Sequence, residues 1–290
     1  FVARLRGRDH ASGPEGFFST GRKPLVRITT HEGYTLRLTA DHRVLRAADQ
    51  TRYRIAEEWC PAGELSPGDR LVLNDHREAP RWEGERTGEE GYLLGLLLGD
   101  GVLKADKGVL SVWEEARVVN GDESSRTGIQ AVMQAAEDAA RTLPHRSDFA
   151  GWSPVAGRGE HRMGTAAIRD LALELGMRPG SGGKRVTPAM ERTSSAFHAG
   201  FLRGLFDADG SVQGTQEKGV SVRLAQSDAD GLEAVQRMLL RLGIASTLYR
   251  NRRPAEAREF PDGRGGTKAY ETRAQHELVI ANDNLEHFRR

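Results

Sequence analysis

The chain has one cysteine, Cys60, and lacks any long apolar segment. A single cysteine excludes an internal disulfide framework and is typical of a reducing compartment. A membrane helix needs roughly 20 apolar residues, whereas the longest apolar run, residues 92–98, is interrupted by Gly95. The first residues also lack a charged stretch followed by an apolar one, so no secretory leader is expected. We therefore expect a cytoplasmic protein with no membrane partner.

The net charge is small as well, because the 42 basic and 41 acidic residues sum to +1. The total does not exclude nucleic-acid binding, since binding depends on where the basic residues cluster. Acidic residues gather at 83–90 and 114–123. The basic residues of one late stretch are Arg250, Arg252, Arg253, Arg258, Arg264, Lys268 and Arg273. This segregation favours DNA binding only weakly, because a solvated surface has the same pattern.

The first quarter of the chain has the pattern of short strands and turns. Two β-rich runs, residues 25–28 and 34–38, are separated by His31-Glu32-Gly33, which predicts a hairpin. A Pro-Gly turn at 67–68 precedes another strand, residues 70–73. Because no long amphipathic helix pattern occurs here, we predict an all-β module over residues 1–78. The polar segment 79–88 is predicted to be a linker.

From Glu89 onward the pattern changes and repeats. The segment GYLLGLLLGDG at 91–101 is echoed by GFLRGLFDADG at 200–210, so that Asp100 and Asp209 are 109 positions apart. Each copy is followed by a strand pattern and then a helix pattern. An internal repeat of this size indicates two similar subdomains around a pseudo-twofold axis. We expect them at residues 89–192 and 193–290.

Small residues in the repeated helix indicate how the two copies pack. Gly95 and Gly99 lie four residues apart, and Gly204 and Ala208 match them in the second copy. Glycine costs about 1 kcal/mol in a helix interior relative to alanine, so the paired placement suggests a close helix–helix contact. Two helices packed in this way would bring their C-terminal ends together. Asp100 and Asp209 lie at those ends.

A pair of carboxylates held together repels unless a cation lies between them. Hard oxygen ligands suit Mg²⁺ or another divalent cation, and such a site can activate water for phosphodiester hydrolysis. A calcium EF-hand is excluded, because Gly210 comes at position 4 of Asp207-Ala-Asp-Gly210 and not at position 6. Residues 182–185 lack the spacing of a phosphate-binding P-loop. Two plain core helices would leave the matched terminal acids unexplained.

These motifs resemble those of the LAGLIDADG homing endonucleases. LRGLFDADG at 202–210 is close to the consensus of that family, and LLGLLLGDG at 93–101 is a looser copy. The resemblance implies an α+β fold, a LAGLIDADG pseudo-dimer of two αββαββα repeats that is monomeric and places paired four-stranded sheets on double-stranded DNA. It also implies a magnesium-dependent, site-specific double-strand break, with Asp100 and Asp209 as catalytic metal ligands. The alternative is a non-cleaving LAGLIDADG-fold DNA- or RNA-binding protein, a regulator or a maturase.

The same family commonly has a basic residue near the metal, in a Lys-x-x-Pro setting before the second motif helix. Lys184-Arg-Val-Thr-Pro188 lies there with one extra residue. Lys184 is our first candidate for a catalytic residue and Arg185 the alternate, although a solvated loop lysine would look the same. The counterpart in the second repeat is expected after a helix beginning near Asn284, beyond the end of the chain, so we expect the second repeat to be truncated at its C-terminus.

DNA contacts are expected on the sheet surfaces. In the strand 220–226 alternation places Val220, Val222 and Leu224 toward the core and Arg223 on the other side, along with Ser221. Arg223 could reach a base edge or a phosphate. The other predicted DNA-binding residues are Arg250, Arg252, Arg253 and Lys268.

The front module contains Thr39-Ala-Asp-His42, which resembles the Thr-x-x-His block of intein splicing domains with the Hint fold. There the two side chains hydrogen-bond the peptide to be cleaved and assist an acyl shift. The resemblance implies part of a Hint domain, carrying the endonuclease and flanked by an extein host protein. Residues 16–45 most resemble inteins of ribonucleotide reductase precursors. Since Phe1 is not a Cys or Ser nucleophile and Arg290 is not Asn, we expect the splicing nucleophiles to be absent, with Cys60 structural.

Overall fold

A computed structural model of the chain describes all residues except 1, 6–7, 12, 15, 17, 78–80, 114–123, 181, 216, 218, 262–265 and 290. For residues 2–5, 8–10, 124–127, 258–261, 268 and 270 it describes the backbone alone. The chain forms two compact units, residues 1–80 and 81–290. None of the helices among the described residues combines the length and apolar character that a membrane span requires.

The described residues of the first unit form strands and one short 3-10 turn, in agreement with the predicted all-β module. Its elements are β1 (Val2–Leu5), β2 (Arg8–Ala11), β3 (Leu25–Thr29), β4 (Thr35–Thr39), β5 (Arg43–Gln50), β6 (Ile55–Pro61), the turn Ala62–Glu64 and β7 (Arg70–Leu71). Strands β3 and β4 form the predicted hairpin, and β6, β5 and β7 form a three-stranded antiparallel sheet. A small core contains Leu38, Val44, Cys60 and Ala62.

The second unit contains the two predicted repeats. The first comprises α1 (Gly88–Leu98), β8 (Val102–Leu103), β9 (Gly108–Trp113), α2 (Ser124–Arg141), β10 (Ser153–Pro154), β11 (Glu160–Thr165), α3 (Ala166–Glu174) and the short α4 (Pro188–Glu191). The second comprises α5 (Ser195–Asp209), β12 (Gly210–Thr215), β13 (Gly219–Gln226), α6 (Ala229–Arg241), β14 (Thr247–Arg253), β15 (Ala257–Pro261), β16 (Thr267–Glu271), β17 (Gln275–Ala281) and α7 (Asn284–Arg289). Both follow the order αββαββα, with the hairpin β15–β16 inserted in the second.

Each repeat forms one four-stranded antiparallel sheet. The strand order is β8-β9-β11-β10 in the first and β12-β13-β17-β14 in the second, so equivalent strands occupy equivalent places. Leu110 and Met163 of one sheet, and Leu224 and Leu278 of the other, join the same hydrophobic core as the helices. Residues that alternate with them lie on the opposite side of each sheet. We call that side the open face.

The two motif helices form the centre of this core. Thr87 caps α1 and forms a reciprocal capping box with Glu90, and Ser194 caps α5 by accepting the amide hydrogen of Phe197. Every residue from 91 to 98 is buried, so α1 is covered on all sides and not only along one stripe. The largest fully buried side chains of the two helices are Leu93, Leu94, Leu97, Phe197, Phe201 and Leu205. A helix with this much burial derives its stability from packing more than from intrinsic propensity.

Part of the predicted linker 79–88 packs onto the second unit. The amide of Trp82 donates to Ser195 Oγ at 2.8 Å, and the guanidinium of Arg241 lies 5.1 Å from the centre of the Trp82 ring. Ser194 Oγ donates to the carbonyl of Arg86 at 2.7 Å. Trp82 is 54% exposed, so these hydrogen bonds and the contact with Arg241, more than burial of the indole, hold the segment against the start of α5. The stretch from Trp82 to Thr87 is therefore part of the folded unit.

Strand β13 differs in one respect from the predicted alternation. Val222 and Leu224 face the core, but Val220 is 39% exposed because it lies near the turn that joins β12 and β13. Ser221, expected on the accessible side, is buried. Arg223 Nε donates to Ser221 Oγ at 3.0 Å, so the arginine side chain covers the serine.

Candidate functional site

The two motif helices approach each other backbone against backbone. A Cβ atom added to Gly95 would lie closer than 3.0 Å to the carbonyl oxygen of Phe201, and one added to Gly204 equally close to that of Tyr92. Real Cβ atoms do not approach that closely, so neither position admits a side chain. Gly91 and Gly200 have the same close contact with the opposite helix. Those two glycines extend the same four-residue spacing, but the sequence prediction of close packing named only Gly95, Gly99 and Gly204 with Ala208.

This packing brings the C-terminal ends of the two helices together. A Cβ on Gly99, the residue that follows α1, would clash with Ala208 Cβ and lie 3.5 Å from Asp209 Cγ. Asp100 is the next residue after Gly99, and Asp209 is the last residue of α5. Burial of its carboxyl group raises the pKa of Asp100, and the negative charge of Asp209 raises it further. The two acids therefore form an interacting pair at the joined helix ends.

Lys184 lies at this pair of acids. Its Nζ donates to the carbonyl oxygens of Gly99 at 3.1 Å and Gly101 at 2.6 Å, on either side of Asp100. Burial lowers the pKa of Lys184, whereas the charges of Asp209 and Asp100 oppose that shift. The loop between α3 and α4 thus contributes one cation beside the two carboxylates, where it offsets part of their repulsion.

Gln226 is a further polar residue of the site. It ends β13, and its Nε2 donates to Asp209 Oδ2 at 3.0 Å. Lys184, the alternate candidate Arg185 and Gln226 line a cavity of about 330 Å³. In the sequence, Gln226 was recognised only as the end of a strand. The sequence did place an amide side chain at the end of the second strand after the motif. That this side chain points toward Asp209 depends on how the strands pair in the sheet, which the sequence pattern does not give.

The donor set fits a hard divalent cation. Two neighbouring carboxylates suit Mg²⁺, which usually keeps several waters and takes one or two protein carboxylates together with substrate phosphate. A closed structural zinc site needs four nitrogen or sulfur ligands. Within the described parts of the chain no group of three or more His, Cys, Asp or Glu residues is placed to hold a metal. The arrangement therefore favours a site completed by water and substrate oxygens.

Asp207, the other acid of the second motif, has a different set of contacts. It accepts a hydrogen bond from the Tyr92 hydroxyl at 2.8 Å, and Arg203 lies 3.8 Å from its carboxylate. The Arg203 guanidinium also lies 4.9 Å from the centre of the Tyr92 ring. Burial raises the pKa of Tyr92, and the charge of Asp207 adds to that effect. Leu98 is the equivalent residue of the first motif, so this link joins α1 and α5 once only.

The predicted DNA-binding residues fall on different surfaces. Arg223 and Arg252 both pair with Glu277 on the open face, at 3.3 and 3.6 Å. Arg250 instead pairs with Glu233 of α6, on the helix side of the sheet. Arg253 Nη1 donates to Gln275 Oε1 at 3.4 Å.

The placement of Arg250 follows from strand alternation, because Arg250 and the buried Leu248 share one side of β14. The prediction that Arg250 lies on the DNA-facing side of the sheet was therefore wrong. The side chains of Lys268, Arg258 and Arg264 lie outside the described residues.

The predicted splicing block lies in the first unit, at the turn between β4 and β5. The amide of His42 donates to the carbonyl of Thr39 at 3.0 Å, and its own carbonyl accepts from Ala62 at 2.8 Å. A hydrogen bond with the Thr39 side chain is the largest cause of the lowered pKa of Asp41, and Lys23, 3.1 Å away, adds to it. Thr39 and His42 thus share one short turn, and their role in splicing stays a prediction.

The chain is similar to segments of longer known proteins. Residues 196–290 match the model of the LAGLIDADG-like domain. The chain is 22% identical over 292 residues to the ribonucleoside-diphosphate reductase NrdEB subunit alpha of Bacillus subtilis, covering 96% of this chain and 26% of the reductase. It is 29% identical to the replicative DNA helicase DnaB of Rhodothermus marinus, covering 80% of this chain and 23% of the helicase. The chain thus spans about a quarter of the length of these relatives.

Solved structures with some likeness include those of the homing endonuclease I-DmoI. Its mesophilic variants are 17% identical, with a TM-score of 0.38 over 69% of this chain and 86% of that chain. The complex of I-DmoI with DNA and Mn is 16% identical, with a TM-score of 0.35 over 69% of this chain and 93% of that chain. These low scores make the likeness too loose to assign the role of any residue.

Proposed function

We propose that this chain is a site-specific DNA endonuclease that hydrolyses phosphodiester bonds with a divalent cation held by Asp100 and Asp209. The observation that carries the proposal is the joining of the two helix ends, which puts one carboxylate from each repeat beside Lys184. The match of residues 196–290 to the LAGLIDADG-like domain supports it.

Each polar residue of the site has a part in this chemistry. A cation bound to the two carboxylates would neutralise charge on the phosphate and lower the pKa of a bound water. Gln226 orients Asp209 by donating to one carboxylate oxygen, as residues behind metal ligands commonly do. The charges of Asp209 and Asp100 favour the protonated form of Lys184, which would place a positive charge beside the reacting phosphate, where charge develops in the transition state. Its three N–H groups allow it to bond a phosphate oxygen in exchange for a backbone carbonyl.

Double-stranded DNA is the proposed substrate. The two open faces, one from each repeat, carry arginines at different positions along their strands, including Arg162 and Arg223. Antiparallel ribbons of two or more strands fit the major groove. The repeat would let one chain contact both halves of a site, so no second subunit is needed.

The comparisons also support an intein context. Segments similar to this chain occur within a reductase subunit, a replicative helicase, a DNA gyrase subunit and a DNA polymerase. One segment shared by proteins of such different activities is expected of an inserted element that is removed from its host. We infer that the first unit is part of a Hint splicing domain with Thr39 and His42 in its active block, and that the host is a ribonucleotide reductase precursor.

Cleavage is tested on the reductase gene with the coding segment of this chain deleted, which is the expected target. With Mg²⁺, the wild type should cut this DNA on both strands, and Asp100→Asn or Asp209→Asn should lower the rate by more than about 100-fold. Asp106→Asn, an exposed aspartate of the β8–β9 turn, is the matched control and should cut like the wild type. Equal cutting by all variants would show that the proposed site is wrong. Tight binding without nicking in Mg²⁺ or Mn²⁺ would favour the non-cleaving alternative.

Splicing is tested separately, in the full-length host precursor. Mass spectrometry should find the host polypeptide joined without this segment. Thr39→Ala or His42→Ala should accumulate the unspliced precursor, whereas Thr51→Ala, an exposed threonine at the end of β5, should not. Normal splicing of both variants would contradict the assignment of the block.

A further inference from the structure

Each sheet carries one carboxylate on its open face that two arginines cover. Glu160 of β11 is 1% exposed, and Arg162 contacts it through two bonds, from Nε at 2.6 Å and from Nη2 at 3.0 Å. Arg158 lies 3.9 Å away. On the second sheet Glu277 of β17 is 8% exposed beneath Arg223 and Arg252. Both glutamates lie opposite the helix side, so arginine side chains contribute to their burial.

The two glutamates are not the same position of the repeat. Arg162 directly precedes Met163, and Glu277 directly precedes Leu278, which are equivalent core residues of β11 and β17. Arginine in one sheet therefore occupies the place of glutamate in the other. The arrangement of a buried glutamate beneath two arginines recurs although the glutamate occupies a different position in each sheet. Inheritance from a duplicated ancestor does not by itself produce this.

A gain in stability is a weak explanation for these pairs. Ion pairs on a surface contribute little to folding, and a buried carboxylate costs desolvation energy that its partners must offset. The hydrogen bonds of Arg162 lower the pKa of Glu160, with Arg158 adding to the effect, so the carboxylate stays ionised at neutral pH. What the pairs do provide is a guanidinium held in one orientation.

The hydrogen bonds of Arg162 to Glu160 use Nε and Nη2 and do not use Nη1 of its guanidinium. Arginine has five N–H groups in a planar fork, and Arg162 uses Nε and one side of Nη2 on Glu160. Among the described residues, no hydrogen bond uses the Nη1–Nη2 edge, and 46% of the side chain is exposed. Two parallel N–H groups match O6 and N7 of guanine in the major groove. An arginine already held in place loses less entropy on binding.

We propose that Glu160 and Glu277 are positioning residues that hold Arg162 and Arg223 for the recognition of guanine, one in each half of the DNA target. This inference rests on the proposed DNA-binding function and adds to it the residues that determine specificity. The sequence patterns did not single out any of these residues: the two glutamates, Arg162 and Arg158.

The test uses the full chain and a pool of randomised DNA duplexes, with Ca²⁺ in place of Mg²⁺. Retained duplexes are sequenced, and their base preferences are compared between variants. Arg162→Ala and Arg162→Lys should each remove a guanine preference from one half of the selected sequence and lower affinity for that sequence by about ten-fold. Arg162→Lys keeps the charge but not the fork, so its salt dependence should stay that of the wild type. Arg223→Ala should act in the same way on the other half.

The glutamate variants distinguish two effects of the glutamates on DNA binding: the positioning of the arginines and the negative charge itself. Glu160→Gln and Glu277→Gln should weaken the guanine preference of their own half while binding of random DNA becomes tighter, because a negative charge is lost. The matched control is the pair Glu191 and Arg237 on α4 and α6, which has the same two-bond geometry, at 2.7 and 2.9 Å, away from the open faces. Glu191→Gln and Arg237→Ala should leave every base preference unchanged. Thermal unfolding of each variant checks that it is folded.

Two results would overturn the inference, and they are distinguishable. If the wild type selects a sequence whose guanines persist in Arg162→Lys and in Glu160→Gln, positioning by glutamate is wrong while DNA binding stands. If the wild type retains no duplex, the proposed function fails and the inference fails with it.

Discussion

Gly95 of α1 lies directly against the carbonyl oxygen of Phe201 in α5, with no room for a Cβ atom between them. Four glycines make such contacts along the two helices, and each allows one backbone to contact the other. The distance between the helices therefore depends on these residues having no side chain. The positions of Asp100 and Asp209 at the joined ends depend on that distance in turn.

Gly95→Ala should separate the helices and destabilise the chain by more than about 2 kcal/mol, because the added methyl group meets backbone atoms that cannot rotate away. Urea unfolding measures the loss. Cleavage should fall more steeply than the folded fraction, since the acids would move apart.

Gly128→Ala in α2 is the matched control. An added Cβ there meets nothing within 4 Å, and alanine is the better helix former, so stability should rise by about 0.5 kcal/mol. A tolerated Gly95→Ala with unchanged activity would contradict the close packing.

Asp100→Asn should raise thermal stability at neutral pH in the absence of metal, although it abolishes cutting. The folded-state pKa of Asp100 is raised above its ordinary value of 3.8, so the folded chain binds the proton more tightly than the unfolded chain. Stability therefore falls as pH rises from 3.8 through the raised pKa, and asparagine avoids this loss. Below pH 3.8 the difference from wild type should disappear.

Added Mg²⁺ should reverse the order of stability of the two proteins, because only the wild type retains both carboxylates to bind the ion. The measurement is a series of melting curves across pH, with and without the metal. A variant less stable than the wild type at neutral pH without metal would show that the acids do not repel each other.

Tyr92→Phe should destabilise the chain by about 1.5 kcal/mol, because the hydroxyl loses its charge-assisted bond to Asp207. Asp207→Asn should cost less, since an amide oxygen can still accept the bond. A double-mutant cycle isolates the energy of the pair. We expect both variants to retain cleavage, because Asp207 is bound to Tyr92 and is not one of the acids at the helix ends. A loss of cutting without a loss of stability would assign Asp207 to the active site.

Arg250 and Arg252 are two positions apart on β14, but the strand register shifts between Tyr249 and Arg253, so the two side chains lie on opposite sides of the sheet. They should therefore differ in their effect on DNA binding. Arg252→Ala should weaken binding and reduce the salt dependence by about one ion, because Arg252 lies on the open face. Arg250→Ala should leave the salt dependence unchanged, because its partner Glu233 is on α6. Binding to a duplex of random sequence at several salt concentrations tests both. A reduced salt dependence for Arg250→Ala would mean that the helix side of the sheet also contacts DNA.

Much of the fold follows from local patterns. The repeated motif and the alternating strands predicted two similar subdomains and the all-β front module, because each of these signals acts over a few neighbouring residues. The αββαββα order of each subdomain was implied by the resemblance to the LAGLIDADG homing endonucleases. The match of 196–290 to the LAGLIDADG-like domain agrees with the more regular copy of the motif. The predicted linker was wrong in part, because Trp82 is held by a hydrogen bond to Ser195 and by the guanidinium of Arg241, both of which are distant in the sequence.

The candidate site, like the fold, was predicted from the sequence only in part. The sequence by itself indicated the two acids, because each lies at the end of a glycine-containing motif that occurs twice. The resemblance to the LAGLIDADG homing endonucleases indicated Lys184 by its place before the next motif helix. Only the tertiary structure decided that Gln226 bonds Asp209, that Arg250 faces α6, and that Glu160 and Glu277 lie beneath arginines on the open faces. These relations join residues of different strands and helices. Their partners depend on sheet register and helix packing, which no run of neighbouring residues encodes.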